Sequence, residues 1–194
     1  VSGRTVSDGT AEVVETSTRN NEELEELISK YKGQKLTNEQ VAEVVSATCF
    51  VSNDNQIKLK ENITITEDLK DICHQFKSGG TAKEGRGILD EYYTDSRLVD
   101  AVRNLIKDQF NTQKEIEVLE PSVGTGNFLY AVKDLGIKSN ITAFEINETT
   151  AKIAKILHPE SNIHLRSFET EFIDEKGNKK EFSEKYHLVI GNPP

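Results

Sequence analysis

The sequence predicts an α/β fold in which helices cover both faces of a parallel β-sheet. Four short apolar runs alternate with helical stretches over the second half of the 194-residue chain. Apolar strands separated by helices of that length are typical of a doubly wound sheet. A glycine-rich turn follows the first run, where such sheets bind a ligand. We therefore expect a ligand site at the carboxyl ends of the strands.

Composition excludes several classes of protein. No apolar run approaches the roughly 18 residues of a membrane span, and no signal pattern opens the chain, so we expect a cytoplasmic protein. Cys49 and Cys73 lack the spacing of metal ligands, which predicts reduced, structural cysteines and no metal site. The net charge of −9 predicts weak DNA binding by this chain alone. The charge does not exclude a DNA enzyme whose basic region lies in another part of a longer polypeptide.

The first half of the chain is predicted to hold a linker and a small subdomain. Residues 1–20 are rich in Ser, Thr and Gly and predict a flexible linker. Residues 21–85 predict a mainly helical subdomain of unknown role. Its expected elements are helix "NEELEELISKYKG", a helix that a Thr37–Gln40 capping box begins, one or two strands in "NQIKLKENITI", and helix "TEDLKDICHQF".

Residues 86–194 are predicted to form the sheet domain. It opens with helix "DSRLVDAVRNLIKDQF", whose expected buried stripe is Leu98, Val102, Leu105 and Ile106. A polar loop or small hairpin is expected around Gly177. The predicted strands are "IEVLE", "NITAFEI", "NIHLR" and "YHLVIG", and the helices between them are "GNFLYAVKDLG" and "NETTAKIAKIL".

The first two strands end in residues suited to a ribose-bearing ligand. In "EPSVGTGNFL", Glu120 ends a strand, and Gly124 and Gly126 allow a sharp turn into a helix whose N-terminus would face the ligand. Leu129 stands where a dinucleotide fingerprint needs Gly or Ala, which argues against NAD. Glu145 follows Glu120 by 145 − 120 = 25 residues, near the roughly 20-residue offset of a ribose ligand. A glycine turn after a strand can also serve only helix packing, and an acidic residue at a strand end can serve only as a helix cap.

The last two strands end in residues suited to a purine ring and an amine. "RSFET" offers Ser167 and Phe168 beside a purine, although Phe168 equally suits the core. In "HLVIGNPP", proline has no N–H, so the Asn192 side chain and the Pro193 carbonyl present acceptors only. Two fixed acceptors can hold a planar amino group in a nucleophilic geometry. The alternative is a bare turn at a strand end.

Three motifs together resemble the N6-adenine DNA methyltransferases, which use S-adenosylmethionine. "GILDEYYTDSRLVDAV" is similar to their motif X, "EPSVGTGNFL" to motif I, and "NPP" to motif IV, the NPPY motif. Motif X ahead of motif I is similar to the gamma order, also found in type I modification subunits. The phrase "RGILDEYYT" resembles the large methylases of phages, plasmids and conjugative elements, which are often fused to helicase segments.

The resemblance implies the Rossmann-like sheet of an S-adenosylmethionine-dependent methyltransferase, of which this chain holds the first four strands. It implies DNA as partner, through regions outside the chain, and a specificity, restriction or helicase component beside it. By resemblance the catalytic residues are Asn192, Pro193 and Pro194. By resemblance the cofactor-binding residues are Tyr93, Thr94, Glu120, Pro121, Gly124, Gly126, Asn127, Glu145, Ile146, Ser167 and Phe168.

The chain also departs from the family pattern. Asp95 replaces the usual proline of motif X, Ser167 replaces the usual aspartate of motif III, and the aromatic residue after Pro194 is missing. The chain has no methionine and stops within motif IV, so we expect an inactive fragment. Two alternatives stay open: a protein-glutamine methyltransferase, which uses the same loop, and a noncatalytic assembly module with residues 21–78 as its docking surface.

Overall fold

The computed structural model describes residues 9–77, 96–183 and 185–192. The expected site residues Tyr93, Thr94, Pro193 and Pro194 lie outside this described part. The helices and strands are α1 (Gly9–Tyr31), α2 (Asn38–Thr48), β1 (Cys49–Val51), β2 (Ile57–Leu59), α3 (Glu67–Cys73), α4 (Ser96–Gln109), β3 (Glu115–Glu120), the 3₁₀ helix η1 (Asn127–Val132), β4 (Lys138–Glu145), α5 (Glu148–Leu157), β5 (Asn162–Leu165), the 3₁₀ helix η2 (Phe168–Glu171) and β6 (Leu188–Val189).

The main sheet has four parallel strands in the order β5-β4-β3-β6. The chain moves outward from β3 to β4 and β5, and then returns to pair β6 with the other side of β3. The strand order therefore reverses at β3, which is where ligands bind in such sheets. This confirms the predicted Rossmann-like α/β class with four strands.

Helix α5 joins the N-terminal elements to the sheet. It packs against α2, α3 and β2 on one side and against β4 and β5 on the other. The backbone N–H of Leu165, in β5, donates to the carbonyl of Asn55 at 2.7 Å. The buried apolar residues form one cluster that runs from Leu24 to Ile190. The N-terminal elements therefore share a core with the sheet.

Both cysteines belong to this shared core. Cys49 and Cys73 are free and buried, as the sequence predicts. Burial raises the pKa of each thiol to about 12. The thiolate, which is the reactive form, is therefore disfavoured. Among the described residues, no helix is both long and apolar enough to cross a membrane.

One N-terminal prediction needs correction. Helix α1 begins at Gly9 rather than at Asn21, so the predicted linker over residues 1–20 is partly helical. In "NQIKLKENITI", where one or two strands are expected, β2 confirms the prediction, and its antiparallel partner is β1. Strand β1 follows α2 without a break, and therefore no turn signal marks its start.

The predicted buried stripe of α4 is also wrong in part. Leu98 is 50% exposed and Leu105 is 64% exposed, whereas Val99 and Ile106 are buried. Helix α4 packs on η1, and the Arg103 guanidinium donates a hydrogen bond to the Tyr130 carbonyl there. The face that meets η1 is therefore one residue further along the helix than expected.

The expected helix "GNFLYAVKDLG" is a six-residue 3₁₀ helix, η1. Gly126 precedes it with φ +91°, and Asp134 and Gly136 follow it with φ +57° and +71°. These left-handed residues leave room for only a short segment, which i→i+3 hydrogen bonds close. The segment that follows the glycine loop is therefore a short 3₁₀ helix and not the α-helix predicted there.

The capping box at Thr37 is confirmed and gives a stability prediction. The Thr37 side chain accepts from the Gln40 N–H at 3.3 Å, and the Gln40 side chain accepts from the Thr37 N–H at 2.9 Å. We expect Thr37→Ala to lower the free energy of unfolding by about 1 kcal/mol, because α2 loses its cap. Urea denaturation measures this, with exposed Lys35→Ala as control. Equal stability of both variants would contradict it.

Candidate functional site

Four loops meet at the carboxyl edge of the sheet. They follow β3, β4, β5 and β6. Glu120 and Glu145 are the last residues of β3 and β4, and Phe168 and Asn192 come after β5 and β6. All four strands are parallel, so their carboxyl ends share one edge. The structure thus brings the described candidates from separate parts of the sequence to one side of the molecule.

Glu120 is a buried carboxylate at the centre of this edge. Its side chain is 1% exposed, and its Oε1 accepts a hydrogen bond from the Ser122 N–H at 2.9 Å. Burial is the main cause that raises the pKa of Glu120 to about 7; the hydrogen bond from the Ser122 N–H acts against this shift, and the nearby charge of Glu145 acts with it. Glu120 can therefore exchange a proton near neutral pH, which is a property of many functional carboxylates.

Gly191 brings the loop after β6 against Glu120. A Cβ atom built on Gly191 would lie 2.4 Å from Oε1 of Glu120, so any larger residue would displace the carboxylate or the loop. The Ile190 N–H donates to the Leu119 carbonyl at 2.9 Å and fixes this approach. Asn192 follows directly and is exposed. The loops after β3 and β6 are therefore in contact.

Glu145 anchors the glycine loop from the neighbouring strand. Its Oε2 accepts from the Gly124 N–H at 3.0 Å, and its Oε1 accepts from the N–H groups of Ile146 and Asn147, each at 2.8 Å. Carboxylate oxygens have about four acceptor sites between them, so Oε2 can accept a further donor. Glu145 therefore holds the loop and keeps capacity for a ligand hydroxyl.

The loop itself depends on left-handed glycines. Gly124 has φ +57°, and a Cβ built there meets no described atom within 4 Å. Gly126 has φ +91°, and a Cβ there would lie 2.6 Å from Cδ2 of His158. Gly124 thus faces open space, whereas Gly126 packs against α5. Pro121 and Asn127, the other candidates of this loop, are half-buried beside it.

We expect Gly126→Ala to lower the free energy of unfolding by about 2 kcal/mol. The positive φ is strained for alanine, and the added methyl overlaps the buried His158 ring. Chemical denaturation measures the change. Gly177→Ala is the matched control, because Gly177 has φ +80° and a Cβ there meets nothing described within 4 Å. If Gly126→Ala and Gly177→Ala lose the same free energy of unfolding, the contact with His158 does not contribute to the effect.

The third predicted region contributes an aromatic cluster. Phe168 is half-buried and packs on Phe144 and Phe172, with ring centroids 5.1 Å and 5.0 Å apart. Ser167 caps η2 by accepting from the Glu169 N–H at 3.3 Å. Ile146, after β4, is 76% exposed and offers a free apolar face. Ser167 and Phe168 thus have structural contacts of their own.

Two residues at this edge of the sheet are not among the candidates that the sequence predicts. Gly191 precedes a recognisable turn, but only the fold shows that it faces Glu120. Ser122 has a buried Oγ without a hydrogen-bond partner among the described residues. Within the described ranges no cluster of three or more His, Cys, Asp and Glu side chains could hold a metal ion.

Comparison with known proteins finds distant relatives. No family model matches the chain. Defense against restriction protein B of Escherichia phage P1 is 30% identical over 148 residues, which are 74% of this chain but 6% of that protein. The chain thus spans only a small part of its curated relative.

Three solved methyltransferase structures also match weakly. A Pyrococcus horikoshii protein described as an RNA methyltransferase is 18% identical, with 58% of this chain and 53% of that chain covered and a TM-score of 0.40. A Listeria monocytogenes protein described as a class I S-adenosylmethionine-dependent methyltransferase is 15% identical, with coverage of 95% and 55% and a TM-score of 0.45. Coclaurine N-methyltransferase is 17% identical, with coverage of 92% and 49% and a TM-score of 0.36.

Proposed function

We propose that the polypeptide to which this chain belongs transfers a methyl group from S-adenosylmethionine to the N6 amine of adenine in DNA. The contact between Glu120 and Gly191 carries the proposal. This contact keeps two loops side by side. The glycine loop suits a nucleoside ligand, and the loop of Asn192 suits an amine. A methyl donor and an amine acceptor must meet in this way for direct transfer.

The described residues fit S-adenosylmethionine. Oε2 of Glu145 has capacity for a ribose hydroxyl, and the open side of Gly124 leaves room for a ligand against the backbone. The exposed side chain of Ile146 can cover one face of a purine ring. The cofactor supplies an electrophilic methyl group on a sulfonium cation. Buried Glu120 can stabilise positive charge nearby once it has lost its proton.

Asn192 is the proposed amine ligand. Its side-chain oxygen is an acceptor in the loop after β6, and the side chain is exposed. An adenine must leave the DNA stack to reach such a loop. Asn192 then orients the N6 amine, and the reaction needs positioning rather than a covalent intermediate on the protein.

The curated relative supports DNA over protein as the substrate. That protein is named for defense against restriction, and restriction acts on DNA. The net charge of −9 makes this chain alone a poor match for phosphates, so the proposal assigns DNA binding to the rest of the polypeptide.

The test is the identity of the methylated product. The full-length parent protein is incubated with methyl-labelled S-adenosylmethionine and with duplex DNA, and nucleosides are analysed by mass spectrometry. We expect N6-methyladenine, and we expect no label in a matched duplex that contains only G·C pairs. Label in N4-methylcytosine or in protein glutamine would reject the proposal. Absence of transfer together with stable capture of a partner chain would favour the assembly module.

A further inference from the structure

The two glycines of the loop between β3 and η1 have different surroundings. A Cβ built on Gly124 meets no described atom within 4 Å, so the loop is open there, where we place the ligand. A Cβ built on Gly126 would lie 2.6 Å from Cδ2 and 2.9 Å from Nε2 of His158. The end of the glycine loop therefore rests against the edge of the His158 ring that carries Nε2.

Strand β4 holds the first part of the loop. The Val123 N–H donates to the Phe144 carbonyl at 2.9 Å, and the Gly124 N–H donates to Oε2 of Glu145 at 3.0 Å. The Gly126 N–H donates within the loop, to the Val123 carbonyl at 2.9 Å. The His158 ring, at the end of α5, is thus the nearest side chain that supports the last part of the loop from outside.

The His158 ring is itself fixed in place. The residue is 7% exposed, and its N–H donates to the Ala154 carbonyl at 2.9 Å. Its carbonyl accepts from the Ser161 N–H at 3.0 Å. The ring packs edge-on against Tyr130, with centroids 4.6 Å apart. The loop therefore meets a firm support, and a small shift of the loop changes its distance from Nε2.

The Nε2 atom of His158 is buried and makes no hydrogen bond with the part of the chain that the structure describes. Buried polar atoms nearly always have a partner, so this atom calls for one. Burial lowers the pKa of His158 to about 4, whereas the Gly126 backbone acts in the opposite direction. The ring is therefore neutral at pH 7 and carries one N–H.

The Gly126 carbonyl is the neighbouring group that can pair with Nε2. The Gly126 N–H already donates to the Val123 carbonyl, whereas the Gly126 carbonyl accepts from the Leu129 N–H at 3.1 Å. A carbonyl oxygen has two lone pairs, so it can accept a second hydrogen bond. In such a pair the Nε2 atom must be the donor.

We propose that His158 is a positioning residue of the cofactor site, whose Nε2–H donates a hydrogen bond to the Gly126 carbonyl once a ligand lies on the glycine loop. This inference rests on the proposed S-adenosylmethionine site. The ring edge already lies against Gly126 without a bond, so a small shift of the loop toward α5 forms it. A ligand packed on the open side of Gly124 favours this shift, and the new bond adds to its affinity.

Two variants with side chains of equal length separate the N–H from the packing. His158→Met and His158→Gln both remove the ring, and glutamine alone keeps an N–H donor. We expect His158→Met to weaken binding of S-adenosylhomocysteine to the 194-residue chain about fivefold, because one buried hydrogen bond is lost, and His158→Gln to weaken it less. Titration calorimetry measures the affinities, and circular dichroism checks folding. His74→Met, at an exposed histidine that ends α3, should bind as the wild type does.

Proton NMR of the histidine side chains adds a readout of the bond itself. The Hε2 signal of His158 is identified by its loss in His158→Met. We expect this signal to move downfield when S-adenosylhomocysteine saturates the wild type, since the proton enters a hydrogen bond.

The outcomes separate this inference from the proposed cofactor site. An unmoved Hε2 signal, equal losses of affinity in His158→Met and His158→Gln, or wild-type affinity in His158→Met would overturn the role of His158 and leave the cofactor site standing. Absence of S-adenosylhomocysteine binding to the wild type would overturn the cofactor site, and this inference with it.

Discussion

Glu120→Gln is expected to keep its stability between pH 5 and pH 8, whereas the free energy of unfolding of the wild type falls by about 2.5 kcal/mol over the same range as Glu120 ionises. The folded-state pKa of Glu120 is raised to about 7 from its ordinary value of 4.5. A shift of that size corresponds to roughly 3 kcal/mol when integrated over the whole titration. Glutamine cannot ionise, and therefore the variant avoids this cost.

The sign follows from which state binds the proton more tightly. The folded protein keeps a proton on Glu120 up to about pH 7, whereas the unfolded chain releases it near pH 4.5. The contribution of Glu120 protonation to stability is therefore fully present below pH 4.5, declines as the pH rises, and is gone above pH 7. Glutamine also keeps a side-chain oxygen that can accept from the Ser122 N–H.

The measurement is urea denaturation of wild type and variant at several pH values. The difference between the two proteins isolates Glu120, because other titrating groups contribute equally to both. Glu175→Gln, in the exposed polar loop, is the matched control and should follow the wild-type profile. A constant difference between wild type and Glu120→Gln from pH 5 to pH 8 would refute the raised pKa.

The strands of the sheet were predictable because burial leaves a direct record in sequence. Ile116, Val118, Ile141 and Ile163 are fully or largely buried between covered faces, and this forces apolar runs. Glu120 and Glu145 end their strands as predicted. Periodicity identifies apolar positions, but it does not choose between overlapping helix faces. Helix α4 accordingly packs through Val99 and Ile106 instead of Leu98 and Leu105.

The contacts within the candidate site were less predictable. The proximity of Gly191 to Glu120 depends on the pairing of β6 with β3, which joins segments about 70 residues apart. The length of η1 depends on left-handed backbone at Asp134, a residue type that adopts it only in some contexts. Sequence therefore indicates which residues end the strands, and the strand order decides which of them touch.

Glu145→Ala is expected to weaken binding of S-adenosylhomocysteine to this chain about ten- to a hundredfold. If Oε2 of Glu145 accepts a hydrogen bond from a ribose hydroxyl, alanine removes it, and a bond to a charged group contributes about 1.5–3 kcal/mol. Glu145→Gln keeps one acceptor oxygen and should lose less, about fivefold, because the retained bond is to a neutral group. Titration calorimetry measures both affinities, and Glu175→Ala, in the exposed loop, should bind as the wild type does.

A complication is that Glu145 also anchors the glycine loop through the Gly124 N–H. A ligand analogue without the 2′ and 3′ hydroxyls separates the two roles in a double-mutant cycle. If Glu145 acts on the ribose, the analogue binds weakly to the wild type and no more weakly to Glu145→Ala. If Glu145 acts only on the loop, the variant weakens both ligands by the same factor. The ribose contact of the proposed cofactor site would then have to be abandoned, even though the loop still shapes the pocket.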